Sequence, residues 1–237
     1  MQTLRRVMRV ILMGLSLFMS LSPPVPAASA PRGATLDSVT AYRARAANQA
    51  FKDALSLEQQ GKLLTAISAY REAVAQDSTY PEACFRMGRL LAGLDRLAEA
   101  AHAYRSELRF HEGHAAARRE LGLVMVRMGD TKGLGELEAL TQRHPEDDQA
   151  WQALGYAYSI AGRHEDAERA LRRAIGYPPE RASEHRDLGV VLATLGRDAD
   201  ARDEYRAAIA IDGEDAANWV NLGNLEEIGR ASCRERV

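Results

Sequence analysis

Residues 151–174 read WQALGYAYSIAGRHEDAERALRRA. Trp151, Leu154 and Tyr158 fall at helical spacing and share one face of a first helix. Gly155 has no side chain, which leaves room for a second helix to cross close by. Gly162 lets the chain turn at the end of the first helix. Ala167, Leu171 and Ala174 then form the facing stripe of a second helix. Pro178 and Pro179 lie just beyond. The stretch predicts two antiparallel helices joined by a tight turn. One such pair cannot bury its apolar faces alone, so it requires copies.

The copies are present. The Leu-Gly position recurs as Met87-Gly88, Leu121-Gly122, Leu154-Gly155, Leu188-Gly189 and Leu222-Gly223, at steps of 34, 33, 34 and 34 residues. One step back from Gly88, Ala54 also fits. The turn residue recurs at Gly61, Gly129, Gly162 and Gly196, with Asp95 in the second copy. The small crossing residue recurs at Ala66, Ala100, Ala167 and Ala201. The large residue after it recurs at Tyr70, Tyr104, Leu171 and Tyr205.

This pattern resembles the tetratricopeptide repeat, whose unit is a helix hairpin of about 34 residues. The resemblance implies an all-α fold, an α-solenoid of antiparallel helix pairs wound as a right-handed superhelix. Copies are placed near 47–80, 81–114, 115–147, 148–181 and 182–215, with a partial copy at 216–227. Residues 31–46 are read as a linker and an N-terminal helix extension, with Asp37 as its N-cap. Pro81 is expected at the first helical position of copy two. Copy three is one residue short. Its second helix carries Gly133 and Gly135, each costing about 1 kcal/mol against Ala, and Glu138 is read at the aromatic position. That helix is expected to be the least regular.

The family's first helices line a concave face through positions 2, 5 and 9 of each copy. The resemblance thus implies a partner-binding groove at Phe51, Leu55, Phe85, Arg89, Arg119, Gln152, Tyr156, Arg186 and Asn224. Rings alternate with guanidinium groups there, a surface suited to an extended or helical peptide. The family's chaperone-tail clamp needs Lys and Asn where this chain has Phe51 and Leu55, so that activity does not carry over.

Residues 1–30 read as a secretory signal peptide: Arg5, Arg6 and Arg9, then an apolar run from Val10 to Leu21, then small residues. Cleavage is expected near Ala27 or Ala30, and the destination is periplasmic or secreted. An uncleaved anchor is the alternative, although the apolar run is short for a span. The whole chain carries a formal charge of −2, and losing the three leader arginines leaves −5. A mildly acidic exported chain is a poor nucleic-acid ligand. Residues 228–237 translate a string resembling a sequencing-library adapter and are read as read-through, which places Cys233 outside the native protein. Without that tail the charge is −7, since it holds three Arg and one Glu. Cys84 stands at the Trp position of its copy and is read as a small core residue.

No catalytic constellation, cofactor loop or metal set stands out. His111 and His114 are spaced to ligate a metal but lie alone in a loop, and are read as a polar turn. Gly133-Leu134-Gly135 lacks the third glycine of a phosphate loop. The expected function is a non-catalytic, cofactor-free interaction scaffold of the cell envelope that binds a protein or peptide. The alternative is the targeting arm of a larger enzyme, a glycosyltransferase or peptidase. Self-association through the open C-terminal repeat, with Trp219 exposed, is a third reading.

Overall fold

The computed structural model describes residues 36–178 and 180–234, with side chains described through Glu227. The expected signal peptide, the start of the linker and residues 235–237 lie outside the described residues. Among those described there are α-helices and no strand: α1 (Leu36–Gln59), α2 (Leu63–Gln76), α3 (Ala83–Gly93), α4 (Leu97–Phe110), α5 (Ala115–Arg127), α6 (Lys132–Arg143), α7 (Asp148–Ile160), α8 (His164–Ile175), α9 (Ala182–Thr194), α10 (Asp198–Ile211) and α11 (Ala216–Arg234). Odd-numbered helices are first helices of a repeat and even-numbered ones are second helices. The all-α repeat fold read from the sequence is the fold observed.

Each hairpin closes on the same device. Gly61, Gly129, Gly162 and Gly196 have φ between 71° and 79°, and Asp95 stands in for glycine at φ 58°. The residue after each turn donates back across it: Lys62 to Leu57, Arg96 to Leu91, Asp130 to Met125, Arg163 to Tyr158 and Arg197 to Leu192, all at 2.9 Å. These bonds satisfy carbonyls that the ending helix would otherwise leave bare.

The crossing residues meet as their spacing demands. A Cβ placed on Gly88 would lie 2.6 Å from the Tyr104 ring, on Gly122 2.8 Å from Leu137, on Gly155 2.6 Å from Leu171 and on Gly189 2.5 Å from the Tyr205 ring. Ala66, Ala100, Ala167 and Ala201 are fully buried beside them. The core is continuous rather than one per hairpin. Val126 and Leu137 of the third repeat pack with Ala153, Leu154, Ala157 and Ala170 of the fourth. Neighbouring copies thus hide each other's apolar stripes, which is the organisation of a repeat array.

Successive first helices also touch one another: α3 with α5, α5 with α7, α7 with α9 and α9 with α11. Second helices are not comparably packed on each other. First helices therefore form the inner side of the array and second helices the outer side.

The third repeat corrects the sequence reading. Its second helix, α6, is an unbroken helix from Lys132 to Arg143. Its missing residue lies in the turn, where Gly129 and Gly133 are four apart and other copies leave five. The shorter turn brings α6 hard against α5. Gly133 is then the small crossing residue: a Cβ there would lie 2.5 Å from the Gly122 carbonyl oxygen. Shifting the register makes Leu137, fully buried, the counterpart of Leu171. Glu138 instead accepts a 2.7 Å hydrogen bond from the Tyr158 hydroxyl.

Two helix starts also differ. Leu36, the first described residue, is already helical, so Asp37 lies within α1 and not before it, where its carboxylate favours the helix dipole. α3 begins at Ala83, and Glu82 before it is left-handed with φ 64°, so Pro81 precedes the helix instead of opening it.

Candidate functional site

The inner faces of α5 and α7 and the start of α9 enclose an open pocket of about 250 Å³. Arg119, Glu120 and Leu123 line it from α5, Gln149, Gln152, Ala153 and Tyr156 from α7, and Arg181 and Asp187 from α9 and its N-cap. Helical spacing puts these residues on one wall. Arg119 and Leu123 are one turn apart, as are Gln149, Gln152 and Tyr156. Tyr156 stands 46% exposed, a large ring presented to solvent.

The pocket floor is a polar network. Gln152 Nε2 donates to Asp187 Oδ2 at 2.9 Å and to Ser183 Oγ at 3.2 Å, which stitches α7 to α9. Burial pushes the Asp187 carboxyl up, against the pull of the Gln152 hydrogen bond and the Arg186 charge. Arg181 pairs with Asp148 and has Glu184 at 3.8 Å. Arg119 has Glu120 at 3.8 Å on its own helix. The pocket thus holds two guanidinium groups, two carboxylates, two amides and a ring. It can bind a peptide backbone and its charged ends, and it contains no nucleophile–base pair.

Three residues expected in the groove, Arg119, Gln152 and Tyr156, come together here. Others have different surroundings. Phe51 packs against Tyr70 and Tyr80, with ring centroids 5.6 and 5.0 Å apart. Phe85 packs on Tyr104 at 6.0 Å and on the His114 ring at 4.6 Å. Leu55 joins the Phe51 cluster, half-buried. Arg186 ties α9 to the next repeat through Asp215 and Asn218. Arg89 and Asn224 are exposed, away from the residues that line the pocket.

Arg181 and Asp187 were missed by sequence reasoning. They fall one residue before copy five and at its sixth position, so counting positions 2, 5 and 9 passes over them. The signal available was charge: Arg181 caps and Asp187 lies within a first helix whose neighbours already carry Arg119 and Gln152.

The loop histidines are more than a polar turn. His111 Nδ1 lies 3.0 Å and His114 Nδ1 3.1 Å from Oε1 of Glu107, whose carboxylate is almost fully buried. Their rings turn inward to a carboxylate that needs partners. No group of three or more His, Cys, Asp or Glu side chains that could hold a metal occurs among the described residues. Cys84 is a buried core thiol, pushed up to about 11 by burial and by the Glu107 charge.

Comparison with known proteins agrees with this architecture. A family model described as the tetratricopeptide repeat matches residues 131–175 and 153–216, the segment that builds most of the pocket. The chain is a tetratricopeptide repeat protein. It is 29% identical over 119 residues to the cytochrome c-type biogenesis protein CycH of Bradyrhizobium diazoefficiens. That match covers 48% of this chain and 32% of CycH, so the chain spans about a third of its relative's length. The solved structure of TTC0263, a thermophilic repeat protein of Thermus thermophilus, overlays with a TM-score of 0.66 at 16% identity, covering 76% of this chain and 98% of that one. YrrB, described as a repeat protein with an unusual peptide-binding site, overlays at 0.50 with 20% identity, over 72% and 88% of the two chains. No described helix of this tetratricopeptide repeat protein is long and apolar enough to cross a membrane.

Proposed function

We propose that this tetratricopeptide repeat protein is a non-catalytic scaffold of the bacterial cell envelope. It grips a partner peptide in the pocket between α5, α7 and α9. The observation that carries this reading is the pocket itself: an exposed ring, Tyr156, beside Arg119 and Arg181 on a rigid inner wall. A ring supplies apolar contact area at low entropic cost, and a guanidinium can fork onto a carboxylate or backbone carbonyl. Peptide binding by YrrB supports the mode. The leader-like residues 1–30 support export. The likeness to CycH supports, among envelope roles, the making of c-type cytochromes.

The test is an array of synthetic peptides probed with the full chain and with an Arg119→Ala, Tyr156→Ala double variant. Both positions face the pocket, so helicity by circular dichroism stays unchanged. Bound peptides are expected to weaken about tenfold or more in the variant. Equal binding by both proteins would move the site elsewhere. Fractionation of a bacterial host tests location: a shortened chain in the periplasm is expected, and a full-length cytoplasmic chain would end the envelope reading.

A further inference from the structure

Ala83, Ala117, Ala150, Glu184 and Asn218 stand at one repeat position, 34, 33, 34 and 34 residues apart, and all five are fully buried. The slot lies in the first turn of each first helix. Three repeats fill it with a methyl group. Asn218 fits there because its amide is satisfied: Nδ2 donates to the Asp212 carbonyl at 3.0 Å, and Oδ1 accepts from Arg186 at 3.3 Å. Glu184 has no such provision. Neither of its carboxyl oxygens accepts a hydrogen bond among the described residues. Arg181 Nε stands 3.8 Å away, and the same guanidinium is held by Asp148 on α7.

The surroundings offer the carboxyl little else. Arg181, His185 and Asp187, all on its own segment, are the charges that act on it most. His185 is engaged in turn: Glu204 of α10 lies 2.7 Å from its Nδ1, and Glu180 lies 3.7 Å from its Nε2. Helix α8, which packs against α9, buries only Ala167, Ala170, Leu171 and Ala174. At the start of α11, Asp215 and Asn218 hold Arg186. A carboxylate buried without hydrogen bonds is far costlier than a carboxylic acid. Burial accordingly raises this carboxyl, against the pull of the Arg181 charge.

We propose that Glu184 is a proton switch in the joint between the fourth and fifth repeats. Protonated, it seats the first turn of α9 as alanine does elsewhere. Ionised, it draws toward water and lifts that turn. Arg181, the N-cap of α9, and Asp187, three residues beyond Glu184, both line the pocket between α5, α7 and α9. The pocket wall is therefore firm at acid pH and loosens as pH rises. The stability that the acid form gives the joint is full below the ordinary carboxylate range and is lost as pH rises through the raised value. Release of a bound peptide on raising the pH is the consequence, and it rests on the reading of the pocket as a peptide site.

Hydrogen exchange of the full chain, read by mass spectrometry, tests the switch. After correction for the chemical exchange rate, protection of residues 181–188 is expected to fall about tenfold between the ordinary carboxylate range and neutral pH. Protection of residues 148–154, where Ala150 fills the slot, is expected to hold. Glu184→Gln keeps the shape and cannot ionise, so its protection stays at the acid value throughout. Glu184→Ala serves if that variant fails to fold, since three other repeats carry alanine there. Asp187→Asn is expected to leave the fall intact. No fall in the natural chain, the same fall in Glu184→Gln or Glu184→Ala, or its loss in Asp187→Asn overturns the proposal. The link to the pocket is read at neutral pH by dicarbonyl labelling of Arg181. Labelling is expected to be severalfold faster in the natural chain than in Glu184→Gln, and equal rates overturn that link. Both measurements are made without peptide, so their failure is distinct from a failure of peptide binding.

Discussion

The third and fourth repeats reach one geometry by different means. In the fourth, Gly155 crosses Ala167, and Leu171 covers the glycine. In the third, Gly122 crosses Gly133, and Leu137 covers it. A Cβ on Gly155 would lie 3.3 Å from the Ala167 carbonyl oxygen, and one on Gly122 would lie 3.3 Å from that of Gly133. The approach is equally tight. The reverse direction is not. Ala167 carries its methyl fully buried, whereas a methyl at residue 133 would meet Gly122 O at 2.5 Å and Met125 Cβ and Val126 Cγ2 at 2.9 Å. One residue lost from a turn has been absorbed by one side chain lost from a helix. Glycine here marks a tight joint and not a loose one.

The comparison can be broken first at its large residues. Leu137→Ala and Leu171→Ala are each expected to destabilise by about 3 kcal/mol, as for buried leucines in a close-packed core. Glu138→Ala should cost far less in the same chemical melts. A large loss at Glu138 and a small one at Leu137 would restore the register first read from the sequence. Next comes the joint itself. Gly133→Ala is expected to destabilise by about 2 kcal/mol, because the obstructing Gly122 oxygen is backbone and cannot step aside. Gly135, two residues on, faces open space. Gly135→Ala should stabilise by about 1 kcal/mol through helix propensity alone. Opposite signs from two glycines of one helix sharpen the contrast with the fourth repeat; like signs would undo it.

The smallest effect concerns charge at the junction of the fourth and fifth repeats. Glu184 is fully buried, and burial raises its carboxyl above the ordinary value despite the Arg181 charge. Asp187 is raised by burial too. A raised acid holds its proton more firmly in the folded chain than in the unfolded one. Its contribution is therefore full below the ordinary carboxylate range and is lost as pH rises through the folded value. Glu184→Gln is expected to raise the melting temperature by about 2 °C at neutral pH and to flatten its pH dependence just above the carboxylate range. A lower melting temperature at neutral pH would show that the charge is stabilising there.

Much of this was legible in the residues. Fixed spacing announces which glycine meets which alanine, because both lie on helices whose rise is constant. Left-handed turns announce themselves where glycine, or Asp95, ends a helix. The place of the deletion was not legible, since a gap in a 34-residue period can be assigned to any point between two anchors. The surroundings of Phe51 and Phe85 were hidden for another reason. A ring half-buried against neighbours and a ring offered to a ligand have the same local sequence. Glu107 drawing in His111 and His114 is likewise a three-dimensional fact, joining the end of one helix to the loop and helix start that follow.

The packing of first helices upon one another has a mechanical consequence. An array whose inner edge is continuous and whose outer edge is divided resists compression on one side and yields on the other. It stores elastic work by fanning its outer helices apart. A ligand that draws α5, α7 and α9 together would close the angle at those joints alone, because each repeat touches only its neighbours, and the repeats on either side would be carried along as levers.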